Sequence, residues 1–397
     1  MDTTREILVS IMLDGETVPV GRLWCYNRKG RESASFEYNK EWLANPKRFA
    51  LEPALPATLG SHYTEKALFG AIGDSAPDRW GRVLMQRGNT TGRTLMEMDY
   101  LLGVDDETRQ GALRFSEKEG GPYLADEKKS VPPLIKLPEL QNVTEKFLDD
   151  NATDEEIKQL LAPGSSLGGA WPKASVLDKD GVLSIAKFSR KDDINDTVRW
   201  EAVALVLAKM AGINVNVFTL DKIAGKHILI VKRFDRDGKN RIPFLSAMSM
   251  LGAFDKDGQV HSHTEIATAI VQHGAQPDKD LEELWRRAIF EVMISNKDNH
   301  LRNHGFLYNG KGWILSPAYD LNPSIEKENF EVAIDDTGAK NTIERAMLVA
   351  PIFRLTDARA QEILSEVREA VSNWRKIAKL FDISDSACDR MAKAFDV

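Results

Sequence analysis

At 397 residues, with 42% hydrophobic and 28% charged side chains, the chain has the makeup of a folded protein too long for one ordinary core, so two or three domains are expected. Its 60 acidic residues against 53 basic ones leave a net charge of -7, which argues against direct, strong nucleic-acid binding and leaves that role to a local basic patch or a DNA-binding partner. Cys25 and Cys388 give no disulfide framework and no cysteine zinc spacing; with a charged start and no apolar run near the roughly 20 residues of a membrane span, a cytoplasmic setting without membrane contact is expected.

The first 50 residues read as short strands: "EILVSIML" alternates, Asp14-Gly15 is a hairpin signal, and "VPVGRLWCY" and "SASFEY" follow. "TEKALFGAIGDSAPDRWGRVLMQR" reads as helices interrupted at Pro77, and "DRWGRVLMQR" as an amphipathic helix of the first domain rather than a partner surface. Turn formers cluster from Ser116 to Pro133, so a boundary is placed there. Two helices follow, "LPELQNVTEKFLDD" and "TDEEIKQLLA", the second opening on a capping box at Thr153 and Glu156.

Next comes a glycine-rich loop, "LAPGSSLGGAWPKASVL". Gly164 and Gly169 have Walker spacing, but Ala170 and Trp171 stand where Lys and Ser/Thr belong, so it is not a Walker loop. Beyond it, "KASVLDKDGVLSIAKFS" reads as two strands joined at Asp180-Gly181, with Lys187 pointing opposite to Ala186 and Phe188. "TVRWEAVALVLAKMAG" is a helix with a Thr or Asp cap and Gly212 at its stop, and "INVNVFTLD" and "KHILIVKRFDR" are strands. Past Asp237 nearly every patterned segment is helical. Leu281, Leu284, Trp285, Ala288, Ile289, Val292 and Met293 mark one face of a central helix, and the exception is a hairpin around Asn309-Gly310. His261 and His263, in "HSHTE", lack further metal ligands at suitable spacing and read as a surface loop.

The chemistry concentrates in "SNKDNHLRNHGFLYNGKGWILSPAYDLNPS", Ser295 to Ser324. Phosphoryl transfer needs a carboxylate for the attacking hydroxyl and oxygen ligands for Mg²⁺ on the nucleotide. Asp298 supplies the base, with Asn303 and Asp320 as metal ligands. Upstream, Lys187 is placed to meet the α- and β-phosphates of ATP, and Glu201, early in the next helix, to pair with it. Backbone groups from Val231 through Lys232 and Arg233 to Phe234 are candidates for the adenine edge, and Gly168, Gly169 and Ala170 for backbone contact with phosphates. His300 reads equally as a phosphate contact or as a brace for the loop.

These residues, with "SSLGGAWPK", "IAKF", "VKRFDR", "SNKDNHLRN" and "SPAYDLNPS", resemble the HipA family of serine/threonine kinases, toxins of bacterial toxin-antitoxin pairs. The resemblance implies Mg-ATP-dependent phosphorylation of a protein serine or threonine, aminoacyl-tRNA synthetases being known targets in the family. It also implies autophosphorylation of a loop serine, matching Ser166 here with Ser165 beside it, and neutralisation by a HipB-like DNA-binding antitoxin. Trp171 replaces a common Gln or Arg, Ser295 to Asp298 a common Gly-Asn-Thr-Asp, and Arg302 a common Lys; Arg302 keeps the charge for phosphate as a planar fork.

The fold expected is α+β, a two-lobed kinase-like plan: an N-terminal β-rich subdomain over 1–125, an α+β nucleotide lobe over 126–236 and a helical catalytic lobe over 237–397, with ATP in the cleft. The rival functions are a catalytically weak corepressor acting through an antitoxin at DNA, and a small-molecule kinase. Label from ATP appearing on protein, on a metabolite or nowhere separates the three.

Overall fold

The computed structural model describes residues 3–90, 92–123, 131–164, 171–255, 257–326 and 328–395. It is a mixed α+β chain, 38% helical and 23% strand. Two compact units are present: Met1–Arg190 with Lys222–Leu245, and Lys191–Asp221 with Ser246–Val397.

In the first unit, Thr3–Leu13 (β1), Glu16–Arg28 (β2), Arg31–Tyr38 (β3), Ser61–Thr64 (β4) and Leu113–Ser116 (β5) form an antiparallel sheet in the order β4-β3-β2-β1-β5. Asp14 and Gly15, at φ 50° and 81°, make the tight turn that right-handed strand twist favours, and Leu13 pairs with Glu16 across it. Val9 pairs with Gly21 but Ser10 with Pro19, so Val20 is the extra residue of a bulge; that irregularity lets a proline, which has no N–H to donate, sit within β2.

Lys173–Leu177 (β6), Leu183–Phe188 (β7) and the Lys226–Lys232 strand pair antiparallel in the same unit. Asp178 Oδ1 accepts from the amides of Asp180 (2.9 Å) and Val182 (2.8 Å), closing the β6–β7 turn. One face of this sheet buries Ala174, Val176, Ala186, Phe188, Ile228 and Ile230 against Trp80, Leu84, Leu140, Phe147 and Leu160. Those partners come from the helices Arg79–Arg87, Leu137–Leu148 and Asp154–Gly164, so "DRWGRVLMQR" is a packed amphipathic helix, as its pattern indicates. Thr153 and Glu156 cap the third helix reciprocally, at 2.9 Å and 3.3 Å. Phe147, edge-on to Trp80 at 5.5 Å, holds the packing centre, and Phe147→Ala costs about 3–5 kcal/mol.

The second unit is mostly helical among its described residues and carries the hairpin Gly305–Tyr308 and Trp313–Leu315, in which Asn309 Oδ1 accepts from Lys311 and Gly312 amides. Asp196 caps helix Thr197–Met210 through its side chain, and Gly212 at φ 77° ends it, with Ile213 N–H bonded to Ala208 O at 2.9 Å. Helix Pro277–Met293 is central: Leu281, Leu284, Trp285 and Ile289 are fully buried, and Trp285 Nε1 donates to Ala346 O at 3.0 Å. The segment from Asp357 to Leu380, whose periodicity runs on unbroken, splits into Asp357–Ser372 and Trp374–Leu380. Ser372 and Asn373 both turn side-chain donors back onto Glu369 O and end the first helix there.

Candidate active site

Helix Pro277–Met293 ends at Ile294, and Ser295, in the left-handed region at φ 50°, turns the chain into the loop that carries Asp298 and Asn303. Asn296 is fully buried, and its Oδ1 accepts the Asn322 amide at 3.1 Å. Ser324 N–H bonds Ser295 O at 3.2 Å, and Tyr319 Oη donates to Arg302 O at 2.6 Å. Asp320 therefore lies in a segment tied to the Asp298 loop on both of its flanks. At φ 53° it occupies a conformation that Asp and Asn tolerate better than other non-glycine residues, of the kind concentrated at functional sites.

Within the loop, Asn303 N–H bonds His300 O at 2.8 Å and Asn303 Nδ2 donates to Asp298 O at 3.3 Å. Committing Nδ2 to that carbonyl leaves Oδ1 as the outward acceptor of the amide. Asp298 is exposed, while Asn303 and Asp320 are half-buried. His300 Nδ1 is buried with no hydrogen-bond partner among the described residues, and Arg302 forks onto Asp255. Glu201 is buried in helix Thr197–Met210.

Beneath the loop, Asn299 Nδ2 approaches His304 Nε2 at 2.8 Å, and the His304 ring stands edge-on to His263 at 5.3 Å. His263 Nε2 lies 3.2 Å from Glu291 Oε2 and its Nδ1 2.9 Å from Ala333 O. The surface-loop reading of "HSHTE" fails for His263, which is the buried first residue of helix His263–His273. Its partners arrive from Glu291 and His304, too remote in sequence for any spacing rule to pair them. Burial pulls the His263 pKa down, but the Glu291 carboxylate outweighs it and raises it; burial and the neighbouring His263 charge hold His304 well below the ordinary value. His261 sits between Asp257 (2.8 Å) and Glu265 (3.2 Å).

In the first unit, β6 and β7 pair Lys173 with Lys187, so both side chains leave the sheet on the face opposite its core. Both are more than nine-tenths buried, two cationic side chains side by side on adjacent strands. The sequence pattern singles out Lys187 and not Lys173, although each lies seven residues from Asp180, the centre of the turn. Trp171 caps the end of β7, its Nε1 donating to Phe188 O at 2.8 Å under the Arg190 guanidinium.

Val231 pairs with Ile185 and Lys232 with Ser184, while Arg233 N–H donates to Leu183 O at 3.1 Å. Antiparallel alternation from that bond turns the amide and carbonyl of Lys232 away from β7. The Arg233 guanidinium is buried, gripping Asp235 and the carbonyls of Thr108 and Arg109. Asp235 also accepts from Gly111 N–H (2.7 Å) and Arg236 (2.8 Å). Burial pushes the Asp235 carboxyl up, but the two guanidiniums outweigh it and hold it well below the usual carboxylate range. "VKRFDR" is thus a clasp onto the 105–111 loop; Phe234, half-buried, sits 6.0 Å from the Phe244 ring. Gly168, Gly169, Ala170, Ser165 and Ser166 lie outside the described residues.

The HipA-like C-terminal domain family matches residues 165–374 and the HipA N-terminal domain family residues 10–115. The chain belongs to the HipA family. Among its relatives, a putative kinase of Haemophilus influenzae is 27% identical over 53% of this chain and 64% of its own length. The serine/threonine-protein kinase toxin HipA of Shewanella oneidensis is 24% identical over 47% of this chain and 51% of that protein. These matches therefore span between half and two thirds of the relatives' lengths. The HipA fold itself is shown by the Shewanella oneidensis HipA, HipB and operator DNA complex, matched at TM-score 0.69 and 17% identity over 97% of this chain and 94% of that one. No helix among the described residues is long and apolar enough to cross a membrane.

Proposed function

We propose that this HipA-family chain is an ATP- and Mg²⁺-dependent protein serine/threonine kinase. The observation that carries the reading is the tie between Tyr319 and Asn322, on either side of Asp320, and the loop bearing Asp298 and Asn303. That tie joins the Asp320 segment to the Asp298 loop, and Asn303 and Asp320 offer oxygen ligands, which suit Mg²⁺ and not a thiolate- or imidazole-seeking metal. Bound there by Asn303 and Asp320, Mg²⁺ supplies charge neutralisation for the nucleotide's phosphates.

The chain's own residues do the rest. Asp298 orients the substrate hydroxyl and accepts its proton as that oxygen bonds the γ-phosphorus and the bond from the γ-phosphorus to the bridging oxygen breaks, releasing ADP. Lys187, with Lys173 beside it, attracts the phosphates; Glu201 fixes the direction of Lys187, and Gly168, Gly169 and Ala170 bring backbone N–H groups to the same anion. His300 and Arg302 flank the transferring phosphate. Val231, Lys232 and Phe234 meet the base, with Arg233 securing the strand end. Ser166, with Ser165 as its neighbour, is the autophosphorylated serine, and a HipB-like DNA-binding antitoxin is the partner in a cytoplasmic setting.

Mass spectrometry of the full chain after Mg-ATP, alone and with lysate, tests this. Phosphopeptides appear on protein, on the 165–166 peptide first, and Asp298→Asn lacks them. Label found only on a metabolite defeats the protein-kinase reading.

A further inference from the structure

The geometry points to a structural transition-metal site, with zinc its natural occupant, held by His263, Glu291 and His304 in the core of the second unit. The three come from the first residue of helix His263–His273, the last turn of helix Pro277–Met293 and the residue before the Gly305–Tyr308 strand. They are 1%, 4% and 1% exposed, and one ligand atom from each lies within 4.8 Å of the others. Two imidazoles and a carboxylate are a zinc set; the site proposed for Mg²⁺ is built of oxygens alone.

The distances bear on the choice between a metal and a plain hydrogen-bonded cluster. His263 Nε2 and Glu291 Oε2 are 3.2 Å apart. A charge-assisted hydrogen bond prefers about 2.7–2.9 Å. The edge of a tetrahedron built on metal bonds of about 2.0–2.1 Å is about 3.3 Å. The two imidazole centres are 5.3 Å apart with rings at 88°. A metal–nitrogen bond of about 2.1 Å plus about 1 Å to the ring centre, opened to the tetrahedral angle, places two ligating rings about 5 Å apart. The His304 ligand atom, within 4.8 Å of the other two, would move inward to complete the set.

The surroundings supply what ligating histidines need. His263 Nδ1, 2.9 Å from Ala333 O, donates to that carbonyl and so aims Nε2 at Glu291. Asn299 holds His304 Nε2 at 2.8 Å, which leaves Nδ1 to ligate; the Asn299 amide, turned over, then accepts from Nε2–H. One coordination position is left to water. The metal would pin two helices and the strand entry together under Asn299, the residue next to Asp298.

The test uses the full chain, purified without chelator after growth with zinc, and reads metal content by elemental mass spectrometry. About one zinc per chain is expected. Dialysis against a chelator lowers the melting temperature, and Co²⁺ added back gives the visible absorption of tetrahedral cobalt. Glu291→Gln and His304→Gln each bring metal to background, whereas Asp320→Asn leaves it unchanged, which separates this site from the one proposed for Mg²⁺. If His304→Gln fails to fold, the near-isosteric Glu291→Gln carries the test. Background metal with no cobalt absorption in the parent protein, or parental metal content in a folded Glu291→Gln variant, overturns the proposal.

Discussion

At the level of single residues, two carboxylates are proposed to have separate duties. Asp298→Asn keeps the loop's shape, because only the Asp298 carbonyl serves Asn303, but removes the base. A positioned base is worth roughly 10² to 10⁴ in rate, so kcat is expected to fall by that range while Mg-ATP affinity, read by titration, stays near the parent's. Asp320→Asn should instead weaken ATP binding in the presence of Mg²⁺ and leave metal-free nucleotide binding unchanged. A different carboxylate governs stability. Glu52, buried at 4% exposure and accepting from the Ala71 amide, has its pKa raised to about 7, chiefly by burial. A carboxyl whose folded pKa exceeds its unfolded one stabilises fully below the unfolded pKa, and that stability is lost as pH rises to the folded pKa. Glu52→Gln, keeping the acceptor oxygen, should therefore gain up to about 3 kcal/mol at pH 8 and almost nothing at pH 4.5, measured by denaturant unfolding at both.

At the element scale, the clasp between "VKRFDR" and the 105–111 loop joins the end of the Lys226–Lys232 strand to the N-terminal part of the same unit. Asp235→Asn leaves buried Arg233 and Arg236 without their carboxylate and should cost about 3–5 kcal/mol. Gly111→Ala is a milder probe. At φ 73°, with an added Cβ 3.2 Å from Phe244 N, it should cost about 1–3 kcal/mol and keep the ion pairs. How far such elements were legible depended on whether their signal was local. Period-two alternation placed Lys187 opposite Ala186 and Phe188, and Asp14-Gly15 and Asp180-Gly181 announced their hairpins. The clasp was not legible, because Arg233 reads as an exposed strand residue until Thr108, Arg109 and Asp235 surround it. Nor was the His263, Glu291, His304 cluster, whose members meet only when two helices pack. The break at Asn373 hides inside an unbroken apolar period.

At the scale of the whole molecule, membership of the HipA family leaves regulation to be tested. The loop with Ser166 precedes the Lys173 and Lys187 strands, so phosphate there adds up to two negative charges where ATP's own are proposed to sit. Ser166→Asp should lose Mg-ATP binding by titration, at least tenfold; parental affinity in that variant defeats the switch. With a net charge of -7, the chain alone should bind DNA weakly and without sequence preference, and recruitment to DNA should need the proposed antitoxin partner. Asp298 as the base for phosphate transfer from ATP to protein hydroxyls is tested by comparing transfer from γ-labelled ATP by the parent and by Asp298→Asn, with lysate protein and Mg²⁺ present. Label on serine or threonine is expected with the parent, and a loss of at least a hundredfold in the variant. Near-parental protein labelling by Asp298→Asn would contradict that role.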